Sequence, residues 1–169
     1  MPEYIDKLRV SVRISRPGQA VVEGMIALAP HSSLHSGPET LLELRDPETG
    51  FLPFERAADD AVLLISRHDI QWVLADPTVD ADLVRPPAYQ FTRQERVRVC
   101  LRGGEDLDGL IQMELPENVN RVSDYLNGPE RYFPLATRRG TFLIHKAAVR
   151  EIFLYEESPL PVEDGAKAA

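Results

Sequence analysis

The stretch Glu23-Gly24-Met25-Ile26-Ala27-Leu28 returns later in the chain as Asp108-Gly109-Leu110-Ile111-Gln112-Met113. Both stretches place a glycine after an acidic residue and before an apolar run. Three such correspondences in the same order predict a duplicated unit. The other two correspondences pair Phe51-Leu52-Pro53-Phe54 with Tyr132-Phe133-Pro134-Leu135, and residues 64–70 with residues 143–149.

The duplication divides the 169 residues into two repeats. The first repeat is predicted to span 7–75 and the second 91–155, with a proline-containing linker at 76–90 and a disordered tail at 156–169. At roughly 65–70 residues, each repeat would have a marginal core by itself. We therefore expect the repeats to pack against each other or against other subunits.

Short apolar runs separated by turn residues predict a mainly β protein with few short helical turns. Residues 8–14 alternate apolar and polar side chains, as a strand with one buried face does, and Gly24 suits a bend in the next strand. Regular spacing of such strands favours a small β-barrel or β-sandwich in each repeat. Further strands are predicted at 41–44, 51–54, 61–66 and 70–74 in the first repeat, and at 95–101, 107–115, 122–126, 132–136, 141–145 and 149–155 in the second.

Charge and composition exclude several classes of protein. The net charge is −8, but the repeats carry only −2 and +1, so the acidic excess lies in the ends and the linker. Neither repeat has the basic balance of a protein that binds nucleic acid mainly through phosphates. The single cysteine, Cys100, predicts a structural thiol and no intrachain disulfide. The absence of a long apolar run predicts a cytoplasmic protein that does not enter a membrane.

Two segments of the second repeat match the signatures of a known fold. One is Gly109-Leu110-Ile111 followed by Glu117-Asn118-Val119-Asn120-Arg121-Val122-Ser123-Asp124, and the other is residues 142–152. They resemble the first and second signatures of the Sm-like fold, and a related SH3-like barrel would satisfy the same pattern. The resemblance implies two tandem small β-barrels, Sm-like or SH3-like. The stretches at 121–127 and 132–135 are also similar to an uncharacterised group of small bacterial domains. The first repeat matches through Gly24, 51–54 and 64–74.

The resemblance implies a strongly bent five-stranded sheet whose edge strands pair with a neighbour. RNA binding is not implied, because only Lys146 lies near the expected loop and the surrounding aromatic and basic residues differ from the family's set. The predicted function is a non-catalytic adaptor or regulatory scaffold that binds itself, as a homo-oligomer, or a protein partner at its strand edges. The predicted interface, in the last strand of each repeat, comprises Ile70, Trp72, Leu74, Val149, Ile152 and Leu154. An internal strand closing each barrel would explain these residues equally well.

The alternative is a regulator that binds nucleic acid or a nucleotide through the basic face of the second repeat. Alternation places Arg96 and Arg98 on one face of a strand, which is also typical of a solvated surface. High salt would weaken phosphate binding and leave strand pairing intact. The candidate anion-binding residues are Arg93, Arg96, Arg98, Arg102 and Lys146.

A third hypothesis, a hydrolase or metal enzyme, has the least support in the sequence. His31 and His35 have the four-residue spacing of a metal pair on a helix, but prolines and serines surround them and suggest a solvated loop. No nucleophile, phosphate loop or zinc-ligand pattern accompanies them. We therefore predict no enzyme activity, no metal site and no cofactor.

Overall fold

The structure, a computed structural model, describes residues 8–32, 36–45, 50–85, 93–113 and 121–155. It confirms a mainly β protein. The strands of the first half are β1 Leu8–Ser15, β2 Val22–Leu28, β3 Phe51–Arg56, β4 Val62–Ser66 and β5 Trp72–Ala75. Those of the second half are β6 Arg93–Leu101, β7 Asp106–Met113, β8 Tyr132–Thr137, β9 Gly140–His145 and β10 Val149–Leu154.

All ten strands form one antiparallel sheet in the order β10-β6-β7-β8-β9-β5-β1-β2-β3-β4. Within each half the last strand pairs with the first, so the orders β5-β1-β2-β3-β4 and β10-β6-β7-β8-β9 correspond. The two halves meet where β5 pairs with β9. Among the described strands the sheet has two free ends, β10 and β4, and its pairing shows no closed barrel.

Apolar alternation along these strands produces two buried clusters, one for each half. Val10, Val12 and Ile14 of β1 point into the first core, and Val97, Val99 and Leu101 of β6 point into the second. Their neighbours in sequence are exposed over most of both strands, as expected when one face of a sheet meets the core and the other meets water.

Two segments predicted as strands are helical. Residues Leu41–Arg45 form a 3-10 helix, and Val122–Leu126 form a short α-helix, α2. The strand predictions were wrong because an apolar run this short satisfies either geometry. Both segments cover a core, where Leu41 and Val122 are buried.

Part of the predicted linker is helical. Residues Ala81–Val84 form a helix, α1, whose amino end is capped by the side chain of Asp80. Val84 is buried in the first core, so this part of the segment packs on the half that precedes it. The predicted disordered tail at 156–169 and the remaining linker residues 86–90 lie outside the described residues.

Candidate functional site

The two halves are joined by a seam, the antiparallel pairing of β5 with β9. Trp72 lies opposite Ile144, and Leu74 lies opposite Phe142. The pairing continues one residue before the start of β5, where the His145 N–H at the end of β9 donates a 2.9 Å hydrogen bond to the carbonyl of Gln71. The chain thus contains one complete example of its own halves associating edge to edge.

Side chains cross this seam in both directions. Trp72 and Leu74 come from the first half but belong to the second core, whereas Leu143 comes from the second half and belongs to the first core. The Trp72 indole N–H donates to Glu105 Oε2 at 3.1 Å, and its ring meets Phe142 edge-on at 4.9 Å. Backbone pairing and shared cores therefore both hold the seam together.

The structure places three of the predicted interface residues inside the molecule. Ile70, Trp72 and Leu74 are 3%, 1% and 4% exposed. Ile70 lies in the first core, and the other two fill the seam. A partner would reach Trp72 and Leu74 only by displacing β9.

The other three predicted interface residues lie on β10, at one end of the sheet. Val149 and Ile152 are half-buried against the second core, and Leu154 is 53% exposed. Phe153, beside it, is 58% exposed. β10 pairs with β6 on one side and with no other described strand, which leaves its second backbone edge free.

The opposite end of the sheet is β4, which contains none of the predicted interface residues. Val62 and Leu64 are 69% and 66% exposed there, while Ile65 is buried. The signal was present in the sequence, since Val62-Leu63-Leu64-Ile65 is apolar on both faces, whereas a strand with one solvated face alternates. We call β4 and β10 the outer edges.

The outer edges are the counterparts of the two seam strands. Val12 of β1 pairs with both Gly24 and Ala75, and Val97 of β6 pairs with both Gly109 and Leu154. β10 therefore occupies the position of β5 in its half. By the same comparison β4 occupies the position of β9, because Pro53 opposite Leu64 matches Pro134 opposite Leu143.

The candidate anion-binding residues of β6 already contact acidic or aromatic groups of the protein. Arg98 makes two hydrogen bonds to Asp108, at 3.1 and 3.3 Å. Tyr155 donates to the same carboxylate at 2.7 Å, and the Arg96 guanidinium lies 4.5 Å from the centre of the Tyr155 ring. Burial opposes ionisation of Asp108, but the hydrogen bonds from Arg98 and Tyr155 outweigh it and lower the pKa of this carboxyl.

The remaining candidate cations are also engaged. Arg93 forms an ion pair with Glu95, and Arg102 Nε donates to the carbonyl of Ala147 at 3.0 Å. Lys146 Nζ donates to the carbonyl of Gly128 at 3.1 Å, and burial lowers the pKa of this amine. A phosphate ligand would have to compete with these contacts.

A groove of about 760 Å³ lies along β1, β2 and the β8–β9 turn. Its lining mixes both charges, with Arg13 paired to Glu23 at 2.9 Å and Arg56 beside Asp60. Arg56 is paired in turn with Asp59 at 2.7 Å. This mixture of charges does not select an anionic ligand.

The histidines give no support to a metal centre. His31 is exposed, and His35 lies outside the described residues. His145 stacks on Tyr132, with 4.8 Å between the ring centres. Within the described ranges, no group of three or more histidine, cysteine, aspartate or glutamate side chains could hold a metal ion. Cys100 is buried, which raises the pKa of its thiol.

No protein-family model, curated protein or solved structure matches the chain. Across the part of the chain that the structure describes, no helix is long and apolar enough to cross a membrane.

Proposed function

We propose that the protein is a non-catalytic adaptor or scaffold that associates through its outer edges by strand pairing. The observation that carries this proposal is the exposure of apolar side chains on both β4 and β10, each with an unpaired backbone side among the described strands. Natural proteins commonly protect such edges with charges, prolines or covering segments, because an open apolar edge recruits another strand.

The seam supports the proposal because it is an association of the same kind. There β5 and β9 meet through backbone hydrogen bonds, and Trp72 and Leu74 of β5 and Leu143 of β9 each enter the core of the other half. We further propose that each half is a small Sm-like or SH3-like unit. The equivalent strand orders and the close contacts at Gly24 and Gly109 favour this relationship.

A variant of β4 tests the proposal. Arg67 N–H donates to the Gly50 carbonyl, and Arg56 N–H donates to the Ala61 carbonyl. Because backbone groups alternate along a strand, the Leu64 N–H points away from β3, and Leu64→Pro removes an outward donor without removing a β3–β4 bond. Leu64→Lys places a charge on the same edge and keeps the N–H.

We expect light scattering to show a salt-resistant oligomer for the unmodified protein and a smaller species for both variants. Far-UV circular dichroism should show that both remain folded, and Leu64→Val should keep the oligomer as the matched control. An oligomer that neither variant weakens, or one that dissociates at high salt with release of material absorbing at 260 nm, would contradict the proposal. The second result would favour the arginines of β6.

A further inference from the structure

We infer that the strand partner of each outer edge is a second copy of this chain, with β10 of one copy pairing with β4 of the next in the register of the seam. This inference rests on the proposed edge association and adds the identity of the partner and its alignment. The seam aligns Val73 with Leu143 and Leu74 with Phe142. The corresponding pairs between copies are Ile152 with Leu64 and Phe153 with Leu63.

The outward-facing backbone groups of β4 belong to the residues that this register requires. In the seam, the hydrogen bond from His145 N–H to the Gln71 carbonyl shows that residues 141, 143 and 145 turn their backbone groups towards β5. The counterparts of these residues are 62, 64 and 66, and their backbone groups point away from β3, into the space that a neighbour would occupy. The backbone groups of 62, 64 and 66 would therefore face β10 of a neighbouring copy as those of 141, 143 and 145 face β5 in the seam.

The exposed side chains match residues that the seam buries. Phe153 is 58% exposed, and its counterpart Leu74 is 4% exposed because it enters the core of the other half. Leu64 is 66% exposed, and its counterpart Leu143 is 3% exposed for the same reason. A second copy in the seam register would bury Phe153 beside β4 and Leu64 beside β10.

The outer edges differ most from the seam at the position of Trp72, where a charged residue replaces the aromatic ring. The counterpart of Trp72 is Glu151, an exposed acid with a long 3.5 Å contact to Arg150. Trp72 reaches the turn after β6, where Gly104 N–H donates to Leu101. The equivalent turn after β1 has Gln19 N–H donating to Arg16.

Arg16 therefore stands where the second half has Leu101. Its Nε is buried and has no hydrogen-bond partner among the described residues. Trp72 and Leu101 both lie in the second core, and the outer edges have an acid and a base at the equivalent positions. Glu151 of one copy would face Arg16 of the next, and this pair would favour β10 on β4 over β10 on β10.

Pairing of two different edges does not end with two copies. Each copy has one β4 and one β10, so the association repeats head to tail and either closes into a ring or continues as a filament. Pairing of only one edge with the same edge of a second copy would instead stop at a dimer. A cross-linking experiment can therefore distinguish pairing of β10 with β4 from pairing of identical edges.

The test uses two single-cysteine chains made in a Cys100→Ala background, Leu63→Cys and Phe153→Cys. The counterparts of these positions, Phe142 and Leu74, form a pair without mutual hydrogen bonds, in which Cα atoms lie about 4.5 Å apart, within disulfide range. We expect the oxidised mixture to give a disulfide-linked dimer and each chain alone to give none. Leu63→Cys mixed with Glu151→Cys, a diagonal pair at roughly 7–8 Å, is the control for register.

A second measurement exchanges charges. Arg16→Glu and Glu151→Arg should each weaken association about two- to fivefold, and the double variant should restore it, as expected for a partly exposed ion pair. Three results would overturn this inference but remain compatible with association at the outer edges. They are a disulfide between two copies of residue 153, equal cross-linking in the register control, and an oligomer that Leu64→Pro dissociates but that never forms the 63–153 disulfide. A monomer at every concentration would overturn self-association in any register.

Discussion

Two glycines at equivalent positions allow the neighbouring strand to approach closely in each half. A Cβ atom built on Gly24 would overlap the Glu55 carbonyl oxygen and lie 2.5 Å from the Phe54 ring. One built on Gly109 would lie 2.7 Å from the Ala136 carbonyl oxygen. In both halves the backbone of the next strand occupies the space where a side chain would begin, so the residue must be glycine for packing reasons.

Gly24→Ala should therefore destabilise the protein by about 3 kcal/mol, at the upper end of overpacking costs, because backbone atoms have little room to move. Gly109→Ala should cost less, since its closest contact is longer. Urea unfolding measures both. Gly103→Ala is the control, because its nearest atom is the end of the Gln71 side chain at 3.4 Å. Equal stabilities for the Gly24→Ala and Gly103→Ala variants would contradict the packing argument.

His145 makes the stability of the protein depend on pH. Burial, with smaller contributions from Arg131 and His68, lowers the pKa of His145 below its ordinary value of 6.5. The unfolded chain therefore binds a proton more readily than the folded one, and the stabilisation present above about pH 6.5 is lost as the pH falls towards the folded pKa. The free energy of unfolding should decrease between pH 7.5 and 5.

The variant His145→Phe keeps an aromatic ring beside Tyr132 and removes the titrating group. It should flatten the decrease in unfolding free energy, as measured by urea titrations at several pH values on that variant and on the unmodified protein. If the slope with pH were the same in both proteins, the loss of stability would have to come from other groups.

At the scale of the elements, the sequence predicted most strands, a few short helical turns and the correspondence between the halves, but not the positions of the helices or which strands form the seam. Apolar alternation identified β1 and β6, because a half-buried strand imposes a period of two. It failed at 41–44 and 122–126, where the run is too short for its period to distinguish a helix from a strand. The sequence predicts Trp72 as an interface residue, but local sequence does not record whether its partner is another chain or the other half. That information depends on the pairing of β5 with β9, about 70 residues apart in sequence.

At the scale of the whole molecule, the seam makes the two halves depend on each other. Removing the second half would expose Trp72 and Leu74, and removing the first would take the same two side chains out of the second core. Leu143 creates the reverse dependence, because it lies in the first core. Because each core contains side chains from the other half, removing either half would weaken the core of the half that remains.

The two halves should therefore unfold in one cooperative transition. Trp72 is the single tryptophan and lies in the seam, so its fluorescence reports the separation of the halves, while far-UV circular dichroism reports the sheet as a whole. At a fixed protein concentration the two signals should give the same urea midpoint, as a two-state transition requires. In the Leu143→Ala variant, which cuts back a seam residue, both midpoints should fall together. A fluorescence change that precedes the loss of circular dichroism would instead mean that the seam opens while the halves stay folded, and that each half is stable by itself.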